Sequence, residues 1–239
     1  MKENFILKKT ILIVGLLLIG CQSDQKSIHV NIHGELRQIM HGGVRDGVVA
    51  LTDVLQDEHV YGLGALEGLE GEILIWDSKP VLTRAKRGGE ASFTNNAENE
   101  KALLLVTATV KDWIEIPFNN TQIETSLNDY IYQIAKDNNI NPEEPFPFIL
   151  EGNFTKVKWH IISDPGPDGT HEDHMNKSWN RTVENTNAKI LGFYSTKHHA
   201  VFTHHSTNSH MHFYDEKSGY SGHADELILG ENTILKLPK

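Results

Sequence analysis

Residues 209–223, SHMHFYDEKSGYSGH, hold three histidines at a spacing that suits a metal site. Residues i and i+2 of a strand point to one face, so His210 and His212 would present two imidazoles about 7 Å apart at Cα. Residues 215–219 have the composition of a tight turn, which would return the chain and bring His223 opposite His212. The pattern predicts three imidazoles that converge from two paired strands.

Three neutral imidazoles with an open coordination position are typical of catalytic zinc. Cys21 is the only cysteine, so a transition-metal site elsewhere must use nitrogen and oxygen ligands. Copper, iron, nickel and manganese also fit such ligands. The alternative is three exposed strand histidines that bind no metal.

The hairpin lies in a half of the chain that is predicted to be nearly all strand. The segments AKILGFYS, AVFTHH, SHMHFY and HADELIL follow one another at hairpin spacing, and TILKLP comes last. In FTKVKWHII the alternation places Trp159 on one face and His160, with two lysines, on the other. We therefore predict a β-rich C-terminal subdomain over residues 141–239 that carries the histidine site.

The first half mixes short strands with a few helices. GELRQIM and VALTDVL predict short helices, HVYGLGAL, GEILIWD and KPVLTR predict strands, and KALLLVTATVK predicts a central strand. Ser126 is a good N-cap, and the apolar residues after it recur at helical spacing. Because NPEEPFP marks a boundary, residues 30–140 would form an N-terminal mixed-sheet subdomain. The predicted fold class is α/β (mixed α+β), dominated by mixed or antiparallel sheet.

Residues 1–20 have the composition of a signal peptide, with lysines followed by the apolar run ILIVGLLLIG. The run is too short to span a bilayer as a helix. It ends in LIGC, which resembles the bacterial lipobox, where Cys21 would be acylated and become the mature N-terminus. We therefore expect a lipid-anchored membrane lipoprotein of the bacterial cell envelope, with residues 21–29 as a tether. An ordinary secretory signal with an incidental cysteine is the alternative.

The formal net charge is −10 at pH 7. An acidic chain repels phosphates, so we expect no nucleic-acid partner. The length after the signal is enough for a buried core in one large domain or two small ones.

Two distant segments together narrow the function. Residues 59–74, HVYGLGALEGLEGEIL, and residues 210–223, HMHFYDEKSGYSGH, are similar to the alpha-acetolactate decarboxylase family. In that family a G-x-G strand runs into an L-x-G-E segment, and an H-x-H strand is followed by a G-G-H-like return. The resemblance is collinear from about Val30 onward. It implies two sheets that merge across the subdomain boundary, often in a homodimer.

The resemblance also implies a site and an activity. His210, His212 and His223 would hold a zinc ion, and Glu72, rather than Glu70, would be the acidic residue beside it. The implied reaction is the decarboxylation of 2-acetolactate, a 2-hydroxy-3-keto acid, to acetoin. Zinc would polarise the carbonyl, and Glu72 would deliver the proton that replaces carbon dioxide.

The sequence departs from the family pattern in two places. Where the family has an active-site arginine in a strand V-K-T-R, residues 157–160 are VKWH. His160 would hold the substrate carboxylate or relay a proton, although imidazole cannot make the two-pronged contact of a guanidinium. The family also has a glutamate in a longer C-terminal tail that reaches the metal. We expect no counterpart of that tail before Lys239.

Other functions stay open from the residues alone. The same fold could act on another 2-hydroxy-3-keto acid, which the His160 replacement favours. A cupin uses an H-x-H-x-x-x-E motif, which His210, His212 and Glu216 match, although the second cupin motif is missing. A non-enzymatic surface lipoprotein would bind metal through its histidines without depending on Glu72.

Overall fold

The structure, a computed structural model, describes residues 25–86, 89–118, 126–164, 166, 173 and 177–239. The predicted signal peptide and Cys21 lie outside these residues. No helix among the described residues is long and apolar enough to cross a membrane. The described chain forms two sheets, and the strand pairings within them are antiparallel.

The first sheet comes from the first half of the chain. Its strands are β1 (Val30–His33), β2 (Val49–Ala50), β3 (Val60–Leu66), β4 (Glu72–Trp76), β5 (Lys79–Ala85), β6 (Ala91–Thr94) and β7 (Lys101–Thr109). They lie in the order β1-β7-β3-β4-β5-β6, with β2 paired to β7. All residues of β7 except the first and last are buried, as its apolar run predicts.

The second sheet comes from the rest of the chain. Its strands are β8 (Trp113–Pro117), β9 (Phe146–Ile161), β10 (Trp179–Tyr194), β11 (Ser209–Asp215), β12 (Tyr220–Leu229) and β13 (Ile234–Pro238). They lie in the order β10-β11-β12-β9-β13-β8, and β10 also pairs with β9. Strands β9, β10, β11 and β12 therefore close into a ring, which brings the histidine hairpin against β9.

Short helices accompany the sheets, among them α1 (Leu36–Met40), α2 (Leu51–Val54) and α3 (Leu127–Asp137). The prediction for α3 is confirmed, because the Ser126 side chain accepts a hydrogen bond from the Asp129 N–H at 3.2 Å. Tyr130, Ile131 and Ala135 are the buried face of α3.

One predicted strand is wrong. Residues 200–205, AVFTHH, form turns with a single bridge between His199 and Thr203. Ala200 takes a positive φ of 59°, and the N–H groups of Val201, Phe202 and Thr203 all point to the carbonyl of His198. A segment whose N–H groups converge on one carbonyl cannot form an extended strand, whatever the β propensity of its residues.

The two sheets share a hydrophobic core, which confirms the predicted fold class of two merging, largely antiparallel sheets. One cluster of buried residues combines Leu63, Leu74 and Val106 of the first sheet with Ile149 and Phe193 of the second. The chain changes sheet between β7 and β8, so β8 and α3 accompany the second sheet. The division into residues 30–140 and 141–239 stays a prediction.

Candidate active site

The histidine hairpin forms as the spacing predicts. Strands β11 and β12 pair with His212 directly opposite His223, and Gly219 in the turn takes a positive φ of 76°. One ring nitrogen from each of His210, His212 and His223 lies within 4.8 Å of the others. The hairpin therefore presents three imidazoles to one small volume.

A fourth histidine extends this row onto the next strand. His223 of β12 lies opposite His160 of β9, and their ring centroids are 5.0 Å apart. Gly222 allows the close approach, because a Cβ there would lie 2.4 Å from the His160 carbonyl oxygen. Thus β11, β12 and β9 place His212, His223 and His160 side by side.

The acidic residue comes from the other sheet. Glu72, the first residue of β4, is only 4% exposed, and its Oε2 lies 3.5 Å from His212 Nε2. Its Oε1 accepts a hydrogen bond from the Ile162 N–H at 2.9 Å. Glu70 is exposed to solvent. The structure therefore brings Glu72, and not Glu70, to the histidines.

Asp225 is a neighbour of the site that sequence reasoning missed. His160 Nδ1 is 2.9 Å from Asp225 Oδ1, and both side chains are largely buried. The pairing of β12 with β9 shifts register between Ala224 and Glu226, which places Asp225 at a β-bulge. Bulges re-aim side chains, and a single sequence gave no signal for this one.

Burial keeps the three hairpin histidines neutral. It lowers the pKa of His210 to about 4. It lowers the pKa values of His212 and His223 well below the usual value, and neighbouring histidines lower them further. Only neutral imidazole can bind a metal. The three side chains are therefore in the form that a metal requires at neutral pH.

Burial acts in the opposite sense on Glu72. It raises the pKa of this carboxyl to about 7, although nearby His160 and the Ile162 N–H favour the charged form. For His160, burial lowers the pKa, but the Asp225 hydrogen bond and nearby Glu72 together raise it above the usual value. The site thus holds a proton donor and a group that readily carries positive charge.

The donor set fits a metal ion. Within the described ranges, His210, His212 and His223 are the residues grouped closely enough to hold one. His210 Nδ1 and both ring nitrogens of His212 are buried without a hydrogen-bond partner. The Ile73 backbone lies near the His212 ring and acts to raise its pKa. It is not within hydrogen-bond geometry of either ring nitrogen. Buried polar atoms nearly always have partners, and three imidazole nitrogens suit zinc.

The sequence profile of the alpha-acetolactate decarboxylase family matches residues 32–236. The chain belongs to the alpha-acetolactate decarboxylase family. The match spans both sheets and includes Glu72, His160 and the three hairpin histidines. No curated protein matches the sequence.

Solved structures of this family share the fold. A Staphylococcus aureus protein of unknown function, similar to alpha-acetolactate decarboxylase, superposes with a TM-score of 0.65 at 18% identity, covering 87% of this chain and 84% of that one. Alpha-acetolactate decarboxylase of Bacillus subtilis strain 168 gives a TM-score of 0.65 at 16% identity, with 88% and 85% covered. The enzyme of Bacillus subtilis subspecies spizizenii gives 0.65 at 16% identity, with 88% and 86% covered.

Other polar residues make hydrogen bonds or ion pairs with groups other than His210, His212 and His223. His198 bonds Ser195 at 2.7 Å, and His199 bonds Asn208 at 2.8 Å. Glu216, the cupin-motif carboxylate, lies in the hairpin turn and pairs with Lys189 at 2.8 Å. The H-x-H-x-x-x-E motif therefore does not assemble into one site.

Proposed function

We propose that the protein is a zinc-dependent decarboxylase that converts 2-acetolactate to acetoin. One observation carries the proposal: three neutral imidazoles, two of them buried, meet a buried carboxyl, with Glu72 Oε2 3.5 Å from His212 Nε2. The family assignment supports the same reaction. His210, His212 and His223 would hold the metal.

The chain's own residues supply the proton and the orientation. A bound zinc ion would act as a Lewis acid on the ketone and hydroxyl oxygens of the substrate. Glu72 holds a proton near neutral pH because its pKa is about 7. It would deliver that proton to the carbon that loses carbon dioxide. Burial of the site keeps water from competing for that carbon.

His160 would hold the substrate carboxylate. Because Asp225 occupies Nδ1 at 2.9 Å, Nε2 is the nitrogen through which His160 would contact substrate. A single imidazole offers one contact where the family's arginine offers two. Asp225 also offsets part of the positive charge on His160.

The His160–Asp225 pair favours a second candidate function. An imidazole whose positive charge is partly offset by a carboxylate holds a substrate carboxylate less tightly than a guanidinium does. The same site would then act on another 2-hydroxy-3-keto acid, whose remaining groups contribute more of the binding. Product analysis with a series of such acids separates the two candidates.

The test is acetoin formation from racemic 2-acetolactate, above the spontaneous rate, by zinc-loaded protein spanning residues 22–239. We expect His212→Ala to lose both the metal and the activity, because it removes a buried ligand. Glu72→Gln should keep the metal and lose about 10²- to 10⁴-fold in kcat, since it removes only the proton donor.

His29→Ala is the matched control, because His29 is exposed and bonds only locally to Asn31. It should leave zinc content and kcat unchanged. Stoichiometric zinc without acetoin, from 2-acetolactate or from the related acids, would refute the decarboxylase and favour a metal-binding role. Full activity in Glu72→Gln would refute the assigned proton donor.

We also propose that Cys21 anchors the protein to a membrane of the bacterial cell envelope, as the lipobox-like LIGC implies. Mass spectrometry of the mature N-terminus in a bacterial host tests this. Acyl groups on Cys21, lost in Cys21→Ser, would support the anchor, and cleavage without acylation would refute it. The expected homodimer is checked by sedimentation.

A further inference from the structure

Arg45 lies outside the histidine cluster, between α1 and β2, and yet bonds both to the turn before Glu72 and to Asp164 in the loop after β9. Its side chain is only 24% exposed. It belongs neither to the histidine hairpin nor to the segments that carry the family resemblance. Its contacts link the turn before Glu72 to the loop after β9.

The first set of contacts fixes the turn that precedes Glu72. The Gly68 N–H donates to the Arg45 carbonyl at 2.8 Å. The Gly47 N–H donates to Glu67 Oε1 at 2.7 Å. The segment around Arg45 is therefore bonded twice to the turn that leads into β4.

The second set reaches the loop after β9. Arg45 Nε donates to Asp164 Oδ1 at 3.1 Å, and Nη1 donates to the carbonyls of Ile39 and Val44, both at 2.9 Å. Three acceptors fix the guanidinium plane. Asp164 lies two residues after Ile162, whose N–H donates to Glu72.

We propose that Arg45 is a positioning residue for Glu72. Its ion pair with Asp164 holds the loop after β9 so that the Ile162 N–H meets Glu72 Oε1, which leaves Oε2 toward His212. The inference rests on the proposed function, in which Glu72 donates the proton. Small displacements of such a group are costly to the rate.

The alternative is that the Arg45–Asp164 ion pair is only structural and does not affect Glu72, because exposed ion pairs contribute little. The Arg45–Asp164 pair differs from a local surface pair because it joins positions 119 residues apart in the sequence. Arg37, paired with Glu35 two residues away and 59% exposed, is the matched control.

The first experiment compares kcat and KM for zinc-loaded protein carrying Arg45→Met, Arg45→Lys, Asp164→Asn or Arg37→Met. We expect Arg45→Met and Asp164→Asn to lower kcat about tenfold with little change in KM, because orientation rather than substrate binding is lost. Arg45→Lys should retain more of the rate, and Arg37→Met should match the parent.

The same variants are then combined with Glu72→Gln. If Arg45 acts through Glu72, Arg45→Met should lower kcat no further once Glu72 is gone. A structural role would lower kcat by the same factor in both backgrounds. Full additivity would overturn the proposal.

The second experiment needs no activity. The exchange rate of the Ile162 amide, measured by NMR, should rise about tenfold in Arg45→Met and Asp164→Asn and stay unchanged in Arg37→Met. An unchanged rate would overturn the proposal. If the parent makes no acetoin, the proposed function fails, while amide exchange still decides whether Arg45 holds Ile162. The dispersed amide signals of the same NMR spectra show that each variant is folded.

Discussion

Burial shifts the pKa values of the site residues in two opposite directions. It keeps His210 neutral, with a pKa of about 4, and it keeps Glu72 partly protonated, with a pKa of about 7. Both shifts disfavour the charged form. Groups suited to binding a metal and a group suited to donating a proton thus arise in the same apolar surroundings.

Substitution of His160 tests whether this residue binds the substrate carboxylate. We expect His160→Ala to raise KM for 2-acetolactate about 10- to 150-fold, which corresponds to a charged hydrogen bond worth about 1.5–3 kcal/mol. His160→Arg should bring KM back to the parent value or below, because the guanidinium binds the carboxylate in two places.

Zinc content and steady-state kinetics check this prediction together. Unchanged KM in His160→Ala, with zinc retained, would show that the carboxylate binds elsewhere. His29→Ala again provides the control, since His29 is exposed and bonds only locally to Asn31.

The histidine trio could be predicted because it depends on local geometry. The i, i+2 rule and a turn of known composition were sufficient to place His210, His212 and His223 together. Asp225 could not be predicted, because its direction depends on a bulge between β12 and β9. The contacts of Arg45 could not be predicted for a related reason, since its partner Asp164 is distant in the chain.

The backbone at the start of β4 sets the position of Glu72. Gly71 takes a φ of +149°, and a Cβ there would lie 2.2 Å from the Thr83 carbonyl oxygen of β5. Only glycine allows β4 to begin so close to β5. The G-E pair in the motif therefore has a steric reason.

We expect Gly71→Ala to lower the free energy of unfolding by about 1–3 kcal/mol, through backbone strain, and to lower kcat because Glu72 moves with β4. Gly43→Ala is the control, since Gly43 also has a positive φ, +67°, but a Cβ there meets nothing within 4 Å. Its kcat should match the parent. Urea denaturation and acetoin formation measure the two effects, and equal kcat in both variants would contradict this account.

Element prediction succeeded where one local signal dominated. Ser126 and the apolar spacing after it identified α3, and the apolar run at residues 101–109 identified β7. The strand prediction for AVFTHH was wrong because three of its N–H groups converge on the His198 carbonyl. Tertiary context decided that segment, and composition could not show it.

For the whole molecule, stability should depend on pH through the buried site. Unfolded histidine titrates near 6.5 and folded His210 near 4, so between these values the unfolded chain binds more protons. The free energy of unfolding of the metal-free protein should therefore rise with pH across that window. Glu72, raised from 4.5 to about 7, acts in the opposite sense between those two values.

Glu72→Gln separates the two effects. In this variant the free energy of unfolding should rise more steeply between pH 4 and 6.5 than in the parent, because the opposing term is gone. Urea denaturation of metal-free protein across this range measures both slopes. Equal slopes would show that Glu72 does not titrate as its burial implies.

The histidine trio and its acid differ in how far apart they lie along the chain. The three histidines fall within residues 210–223, so they meet when one short hairpin closes. The bond between Glu72 and the Ile162 N–H joins positions 90 residues apart and needs both sheets in place. During folding, a newly made chain would thus be able to form the proposed metal site early and bring Glu72 to it last.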